Sequence, residues 1–154
     1  MSTYEDDVTL DAVELSLDTW LARARGENPA LLAVDRAPAE EGVRRWYVRL
    51  AGDEKEFTTI WFTLGQRMLH YETYVMPAPE ENEQQLYEHL LRRNLRLVGC
   101  HFAIGAEDAV FLVGALPLRS LDEAELDRII GSVFAAVERC FRPALRIGFA
   151  SRFR

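Results

Sequence analysis

A chain of 154 residues, 49% of them hydrophobic, is long enough for one globular domain with its own core. The 25 acidic residues outnumber the 18 basic ones, and the net charge of −7 argues against a general surface for nucleic acid or anionic membrane. We expect a single domain over residues 1–154, with flexible ends at residues 1–9 and 148–154.

The first predicted element is a helix from about Leu10 to Arg25, followed by Gly26 as a suitable C-terminal stop. Apolar residues recur along one face of this helix at helical spacing: Val13, Leu17, Trp20, Leu21 and Ala24. The stretch from residue 26 to 42 is rich in loop-forming residues. Its apolar kernel, Leu31 to Val34, is a candidate for a short edge strand.

Three strand-like runs follow in quick succession, "RRWYVRL", "EFTTIWFTL" and "RMLHYETYVM". The joints between them, "AGDEK" and "GQ", are short and typical of hairpins, so we expect an antiparallel meander. Alternation predicts one uniformly apolar face, made by Trp46, Val48, Leu50, Ile60, Phe62, Leu64, Leu69, Tyr71 and Val75. The opposite face mixes arginine, threonine and aromatic side chains, as a half-solvated face or a contact surface does.

The segment "YVMPAPEENEQQLYEHLLRRN", residues 74–94, predicts the end of a strand and then a crossover helix. Pro77 and Pro79 cannot donate ladder hydrogen bonds and therefore end the strand. Acidic residues follow, where a helix N-terminus favours negative charge: Glu80, Glu81 and Glu83. Leucines at helical spacing and polar residues at the far end complete the pattern: Leu86, Leu90, Leu91, Arg92, Arg93 and Asn94.

Two apolar strand patterns, "LVGCHFAIG" and "AVFLVGALPL", come next and are hinged by "GAED". A long final helix is then predicted, with Ser120 or Asp122 as its cap and Pro143 as its stop. Its apolar stripe consists of Leu121, Leu126, Ile129, Ile130, Val133, Phe134, Val137, Cys140 and Phe141. The order α-β-β-β-α-β-β-α predicts an α+β fold with a single antiparallel sheet of about five strands.

A family resemblance is carried by residues 45–94 together with "HFAIGAEDAVFLVGALPL" and "LDEAELDRIIGSVFAAVE". From about Trp46 onward the chain resembles the YbjN family, whose members are labelled bacterial sensory transduction regulators. The most specific part is the set Pro77, Pro79, Glu81, Asn82, Leu86, Tyr87, Leu90, Leu91, Arg92, Arg93 and Asn94. The resemblance implies a fold similar to that of type III secretion chaperones, which are small acidic homodimers that bind other proteins. These family residues are architectural, so the resemblance implies no catalytic site.

Two residue pairs could carry chemistry. His70 and Glu72 lie on one face of a predicted strand, but no third metal ligand is evident, and an ordinary polar pair is the favoured interpretation. Cys100 and His101 are adjacent in a strand and point to opposite faces, so they form no nucleophile–base dyad. Cys100 and Cys140 are interpreted as buried thiols, since neither has ligand spacing. No hydrolase, zinc, Walker or dinucleotide motif occurs, and we predict no enzyme, metal or cofactor.

Aromatic residues are predicted on the non-core face of the meander, namely Tyr47, Trp61 and Tyr74, with Arg45 and Arg49 nearby. Large rings beside arginines are typical of protein contact surfaces. We hypothesise that these five residues bind protein. The alternative is that a C-terminal segment or a loop covers the rings.

Charge is unevenly distributed between the two ends of the chain. Every charged residue from Met1 to Asp18 is acidic, and every one from Arg139 to Arg154 is basic. We interpret this as mutual attraction of the ends. A nucleic-acid-binding tail is the less favoured reading, because the basic segment is half apolar.

These patterns together favour a non-catalytic protein-binding module, a chaperone-like or regulatory adaptor that acts as a homodimer. It would bind itself and an unknown protein through the exposed sheet face or the helix of residues 80–94. We expect neither a membrane nor a nucleic acid as its partner. The acidic start, without a basic and apolar leader pattern, predicts a cytoplasmic protein. The alternative is a small-molecule-binding protein or uncharacterised enzyme that uses a cavity between sheet and helices.

Overall fold

The computed structural model describes the backbone of residues 3–153 and the side chains of residues 9–153. Its helices and strands follow in the order α1 (Thr3–Glu27), β1 (Leu31–Arg36), β2 (Arg45–Ala51), β3 (Phe57–Leu64), β4 (Met68–Met76), α2 (Glu83–Asn94), β5 (His101–Ile104), β6 (Val110–Pro117) and α3 (Glu123–Gly148). Short 3-10 turns connect or end these elements at Ala39–Glu41, Ala106–Asp108, Leu118–Ser120 and Ala150–Phe153.

The strands form one antiparallel sheet in the order β1-β2-β3-β4-β6-β5. The predicted α+β class with an antiparallel sheet is confirmed. The sheet has six strands rather than about five, because the apolar kernel Leu31 to Val34 does form an edge strand, β1, which continues to Arg36. As an edge strand, β1 pairs with β2 on one side only.

Alternation along β2, β3 and β4 places their apolar side chains on one face, as predicted. Trp46 opposes Phe62 across β2 and β3, and Phe62 opposes Tyr71 across β3 and β4. The buried members of this face are Trp46, Val48, Leu50, Ile60, Phe62, Leu64, Leu69, Tyr71 and Val75. These rings and branched side chains form the centre of the core.

All three helices pack on this apolar face. Leu17 and Leu21 of α1 are fully buried, and Asp18 accepts a hydrogen bond of 2.8 Å from Nε1 of Trp46 on β2. The α3 helix packs against β3, β4 and α2, and α2 packs against β5. No helix within residues 3–153 therefore lies on the opposite face of the sheet.

The α3 helix begins at the Asp122 cap, whose carboxylate accepts from the backbone N–H of Glu125 at 2.8 Å. The prediction that Pro143 stops this helix is wrong, because α3 continues to Gly148. Proline fixes a helical φ and removes one backbone donor, and the helix tolerates this because Ala144 and Gly148 beyond it are buried in the core. Tertiary packing outweighs the local helix-breaking preference here.

The two ends of the chain pair with other segments instead of with each other, within residues 9–153. Arg44 contacts Asp11 at 2.9 Å, and Arg36 contacts Asp18 at 3.0 Å. At the other end, Arg142 pairs with Glu54 at 2.5 Å. The described acids of α1 meet the arginines beside β1 and β2, because α1 packs over these strands. The side chains of Glu5, Asp6 and Asp7 lie outside the described residues, so the attraction of the ends stays a prediction.

Only one of the three acids predicted at the N-terminus of α2 lies in that helix. Glu83 lies in the first turn, but Glu80 and Glu81 precede the helix and contact the C-terminal turn. The Glu81 carboxylate accepts from the Ser151 N–H at 2.5 Å, and Glu80 pairs with Arg152. Residues 148–153, part of the end 148–154 predicted as flexible, thus lie against the segment between β4 and α2. The other end predicted as flexible, residues 1–9, lies outside the described side chains up to residue 8.

Candidate protein-binding surface

The face of the sheet opposite the helices, called here the outer sheet face, carries all five residues predicted to bind protein. Tyr47 opposes Trp61 across β2 and β3, and Trp61 opposes Glu72 across β3 and β4. The row continues to Val113 on β6. Strand alternation alone sends these side chains away from the core.

The aromatic rings of this face pair edge to face. The centroids of Tyr47 and Trp61 are 5.8 Å apart with an interplanar angle of 85°, and those of Tyr74 and Phe111 are 5.7 Å apart at 86°. Such geometry is favourable for aromatic pairs beyond the area they bury. Phe111 was not among the predicted binding residues, because only the register of β4 with β6 brings it to Tyr74.

Cationic side chains lie over the rings. The guanidinium of Arg45 is 5.9 Å from the Trp61 ring centroid, and that of Arg49 is 3.9 Å from the ring of Phe57. Arg45 is further held by a hydrogen bond of 2.9 Å from its Nε to the hydroxyl of Thr63. These contacts order both arginines before any partner binds.

The loop between β2 and β3 adds a third cation at the end of the sheet, where the Nζ of Lys55 lies between the Tyr74 ring and the Phe141 ring of α3, 5.9 Å from the Phe141 centroid. Lys55 donates a hydrogen bond of 3.0 Å to the carbonyl oxygen of Tyr74, and its Nζ lies 5.5 Å from the Tyr74 ring centroid. Partial burial lowers the pKa of the Lys55 ammonium below its ordinary value. Sequence reasoning missed Lys55 because it lies in a loop rather than in a strand.

The rings are only partly covered. Tyr74 is 41% exposed and Phe57 38% exposed, while Tyr47 and Trp61 are half-buried against each other. The C-terminal turn, one of the two covers considered from the sequence, lies instead against Glu80 and Glu81. The outer sheet face thus presents ordered aromatic and cationic groups to solvent.

His70 and Glu72 lie on one face of β4, as alternation predicts, and their interpretation as an ordinary polar pair stays a prediction. Both project from the outer sheet face on β4, beside a depression of about 250 Å³ next to Trp61. Among residues 9–153, no group of three His, Cys, Asp or Glu side chains is placed to hold a metal ion. Two ligands alone do not make a structural site.

Both cysteines are buried, free thiols. Burial raises the pKa of the Cys100 thiol and raises that of Cys140 to about 11. His101 is exposed on the outer sheet face while Cys100 is buried, so the two side chains point apart as predicted. Neither thiol has the lowered pKa that a nucleophile requires.

The α2 helix, the second surface considered from the sequence, presents an apolar stripe to solvent. Leu91 is 67% exposed, and Leu95 just beyond the helix is 89% exposed. Tyr87 extends this apolar stripe toward the first turn of α2, and Glu83 and Arg92 lie at the edges of the stripe. By contrast, Leu86 and Leu90 of the same helix are buried.

One gap between the sheet and α3 lies beside Tyr71. The gap enclosed by Tyr71, Cys100 and Ile129 has no room for a water molecule.

None of the helices in the described part of the chain is both long and apolar enough to cross a membrane.

The helices on one face of an open antiparallel sheet define a fold seen in solved type III secretion complexes. The fold is similar to a chain of the ExsC–ExsE complex, with a TM-score of 0.56 and 20% identity over 82% of this chain and 91% of that chain. It is also similar to a chain of the heterodimeric ExoU–SpcU complex from the type III secretion system of Pseudomonas aeruginosa, with a TM-score of 0.51 and 14% identity over 82% and 98%. The predicted chaperone-like fold is confirmed.

The chain belongs to the YbjN family, whose model, described as "Putative bacterial sensory transduction regulator", matches residues 16–146. An uncharacterized protein of Mycobacterium leprae is 35% identical over 111 residues, which cover 72% of this chain and 60% of that protein. An uncharacterized protein of Mycobacterium tuberculosis is 34% identical over 104 residues, 68% of this chain and 57% of that protein. The match therefore spans about three fifths of the length of these curated relatives.

Proposed function

We propose that this protein is a non-catalytic binding module, a chaperone-like or regulatory adaptor, that holds another protein chain against its outer sheet face. The observation that carries the proposal is the set of ordered rings and cations on a face that none of the helices in the described part of the chain covers: Tyr47, Trp61, Tyr74, Arg45 and Arg49. Tryptophan, tyrosine and arginine are the residue types that most often dominate the energy of protein interfaces.

The physical basis is that the free protein already holds these side chains in place, so less side-chain entropy is lost when a partner binds. The Trp61 ring is fixed between Tyr47 and Arg45, so a partner would immobilise few additional rotamers when it covers this face. Burying the remaining exposed ring area would contribute about 25 cal/mol for each Å² removed from water.

The proposal includes self-association as a homodimer and a cytoplasmic location. Two apolar surfaces are available, the outer sheet face and the exposed stripe of α2 at Leu91, so one can join two copies while the other holds a partner. The similar folds are known from complexes in which ExsC is bound with ExsE, and SpcU with ExoU. Two free thiols are compatible with a reducing compartment.

The test compares the wild type with Trp61→Ser and Leu91→Ser. The first substitution removes the central ring of the outer sheet face, and the second removes an exposed leucine from α2, so each serves as the control for the other. Mass by light scattering across a dilution series reports self-association, where a dimer has twice the 17.6 kDa of the chain. Cross-linked capture from the native host, with mass spectrometry, reports partner binding.

We expect Trp61→Ser to weaken one of these two associations by at least about tenfold, which is the loss of one hot-spot contact. Equal thermal midpoints of the three proteins establish that folding is intact. A loss seen with Leu91→Ser alone would move the binding site to α2. If neither substitution changes the mass or the captured proteins, the proposal is wrong.

A further inference from the structure

A second surface of different chemistry lies between α2 and α3. It is a groove of about 680 Å³, called here the arginine groove, whose basic lining residues are His89, Arg92, Arg93, Arg96, Arg128 and Arg139. Among residues 9–153, no aspartate or glutamate lines it. In a chain with a net charge of −7, this is a strong local concentration of positive charge.

The arginines differ in how far their charge is already neutralised. Arg92 pairs with Glu88, and Arg128 pairs with Glu125, each within its own helix. The Nε of Arg93 donates to Nε2 of His89 at 3.1 Å, a neutral acceptor.

Arg93, Arg96 and Arg139 form no ion pair with any carboxylate among residues 9–153. Three guanidinium groups therefore retain the donors that a carboxylate ligand could accept from.

The rest of the groove is apolar and lined by small residues. Val98 is 77% exposed beside half-buried Leu97, and the α3 wall between Arg128 and Arg139 presents Ser132 and Ala135. Small side chains on a helix allow another backbone to approach closely. A ligand that fits this groove needs apolar groups as well as anionic ones.

The length of the groove selects an extended ligand. Arg128 and Arg139 are eleven positions apart on α3, or about 16 Å at the helical rise of 1.5 Å per residue. One phosphate group cannot contact both ends of such a span, whereas carboxylates distributed along a peptide can. A long nucleic acid would also meet repulsion from the acidic remainder of the protein.

We propose that the arginine groove binds an acidic segment of a partner protein. Its carboxylates pair with Arg93, Arg96 and Arg139, and its apolar side chains pack against Leu97 and Val98. This site is separate from the outer sheet face, so the inference goes beyond the proposed function and does not depend on it.

The experiment is selection of a random peptide library displayed on phage, followed by fluorescence anisotropy of the best peptide. Wild type is compared with Arg96→Glu, Arg139→Glu and the double variant, and Arg119→Glu is the charge-matched control, since it lies in the turn before α3 and outside the groove. We expect enrichment of peptides rich in aspartate, glutamate and leucine. The double variant should weaken their binding at least about tenfold, because each reversal converts an attraction into a repulsion.

The outcomes separate this inference from the proposed function. Peptide binding should survive in Trp61→Ser and in Arg119→Glu, and should fall steeply with added salt. The inference is overturned if no acidic peptides are enriched, or if their binding is unchanged in the double variant while its thermal midpoint equals that of the wild type. Tighter binding of single-stranded DNA or of ATP by the same arginines would also overturn it, because the ligand class would then be wrong.

Discussion

Tyr71 and Gly114 are register partners on β4 and β6, and the Tyr71 ring occupies the space that a side chain at position 114 would need. A Cβ placed on Gly114 would lie 2.2 Å from Cε2 of Tyr71 and 2.4 Å from the carbonyl oxygen of Gly99. The Tyr71 hydroxyl donates to that same carbonyl at 2.5 Å. Glycine on β6 thus allows Tyr71 to tie the sheet to the segment that precedes β5.

We predict that Gly114→Ala lowers the free energy of unfolding by about 2–3 kcal/mol, which is typical of overpacking in a core. The backbone carbonyl of Gly99 cannot yield as a flexible side chain would, so Tyr71 must move and lose its hydrogen bond. Urea denaturation monitored by circular dichroism measures the change.

The matched control is Gly131→Ala, a change of the same chemistry in the exposed part of α3. A Cβ there would have no heavy atom within 4 Å. Alanine should stabilise this helix by about 0.5–1 kcal/mol, because glycine loses more backbone entropy on folding. Effects of the same sign and size at both positions would contradict the steric explanation at Gly114.

Strand alternation and helical spacing were sufficient to predict most of the fold. They are local signals, and they correctly assigned the inward set around Phe62 and the outward set around Trp61. The stop at Pro143 was wrong because the burial of Ala144 and Gly148, a tertiary effect, decides where α3 ends.

The candidate surfaces were predictable only in part, for a physical reason. Tyr47 and Trp61 could be placed on one face from alternation, but the pairing of Phe111 with Tyr74 depends on the register of non-adjacent strands. The arginine groove was missed because it is assembled by packing of α2 on α3. In the sequence, "LLRRN" indicated only charge at a helix end.

Glu138 of α3 anchors the loop between β2 and β3. Its carboxylate accepts from the backbone N–H of Asp53 at 2.6 Å and from that of Lys55 at 3.0 Å. We predict that Glu138→Ala lowers the free energy of unfolding by about 1.5–3 kcal/mol, the usual effect of losing hydrogen bonds to a charged group. Hydrogen exchange at the amides of Asp53 and Lys55 should accelerate.

Glu138→Gln is the informative comparison because it is nearly isosteric and keeps one acceptor oxygen. It should cost less than Glu138→Ala and should protect one of the two amides better than the other. Unchanged exchange at both amides in Glu138→Ala would mean that the carboxylate does not hold this loop in solution.

The two thiols should react slowly while the protein is folded. With a pKa of about 11, the Cys140 thiol is ionised in about one molecule in a thousand at pH 8, and its side chain is fully buried. We predict that a thiol reagent labels Cys100 before Cys140, and that denaturant removes the difference. Single variants Cys100→Ala and Cys140→Ala assign the two phases, and faster labelling of Cys140 would show that the α3 core opens more readily than its packing implies.

His89 should make the protein less stable as the pH falls. Partial burial, and then the charge of Arg93, lowers the pKa of His89 below its ordinary value of 6.5. The arginines that line the same groove are Arg92, Arg93 and Arg96 from the α2 side and Arg128 and Arg139 from α3. At a pH well above 6.5 His89 is neutral in both the folded and the unfolded chain, so it contributes nothing to the pH dependence of stability there.

As the pH falls toward and through 6.5, the unfolded chain binds the proton first, and stability decreases until the pH passes the lower folded pKa. Protonation also removes the Nε2 acceptor of the Arg93 hydrogen bond. We therefore predict that His89→Gln, which keeps an acceptor, loses less stability than the wild type between about pH 7.5 and about pH 5. Urea midpoints across this range measure it, with His101→Gln on the exposed outer sheet face as the control. If His89→Gln and the wild type have the same slope, His89 does not carry this dependence, and NMR titration of its ring would then give an ordinary pKa.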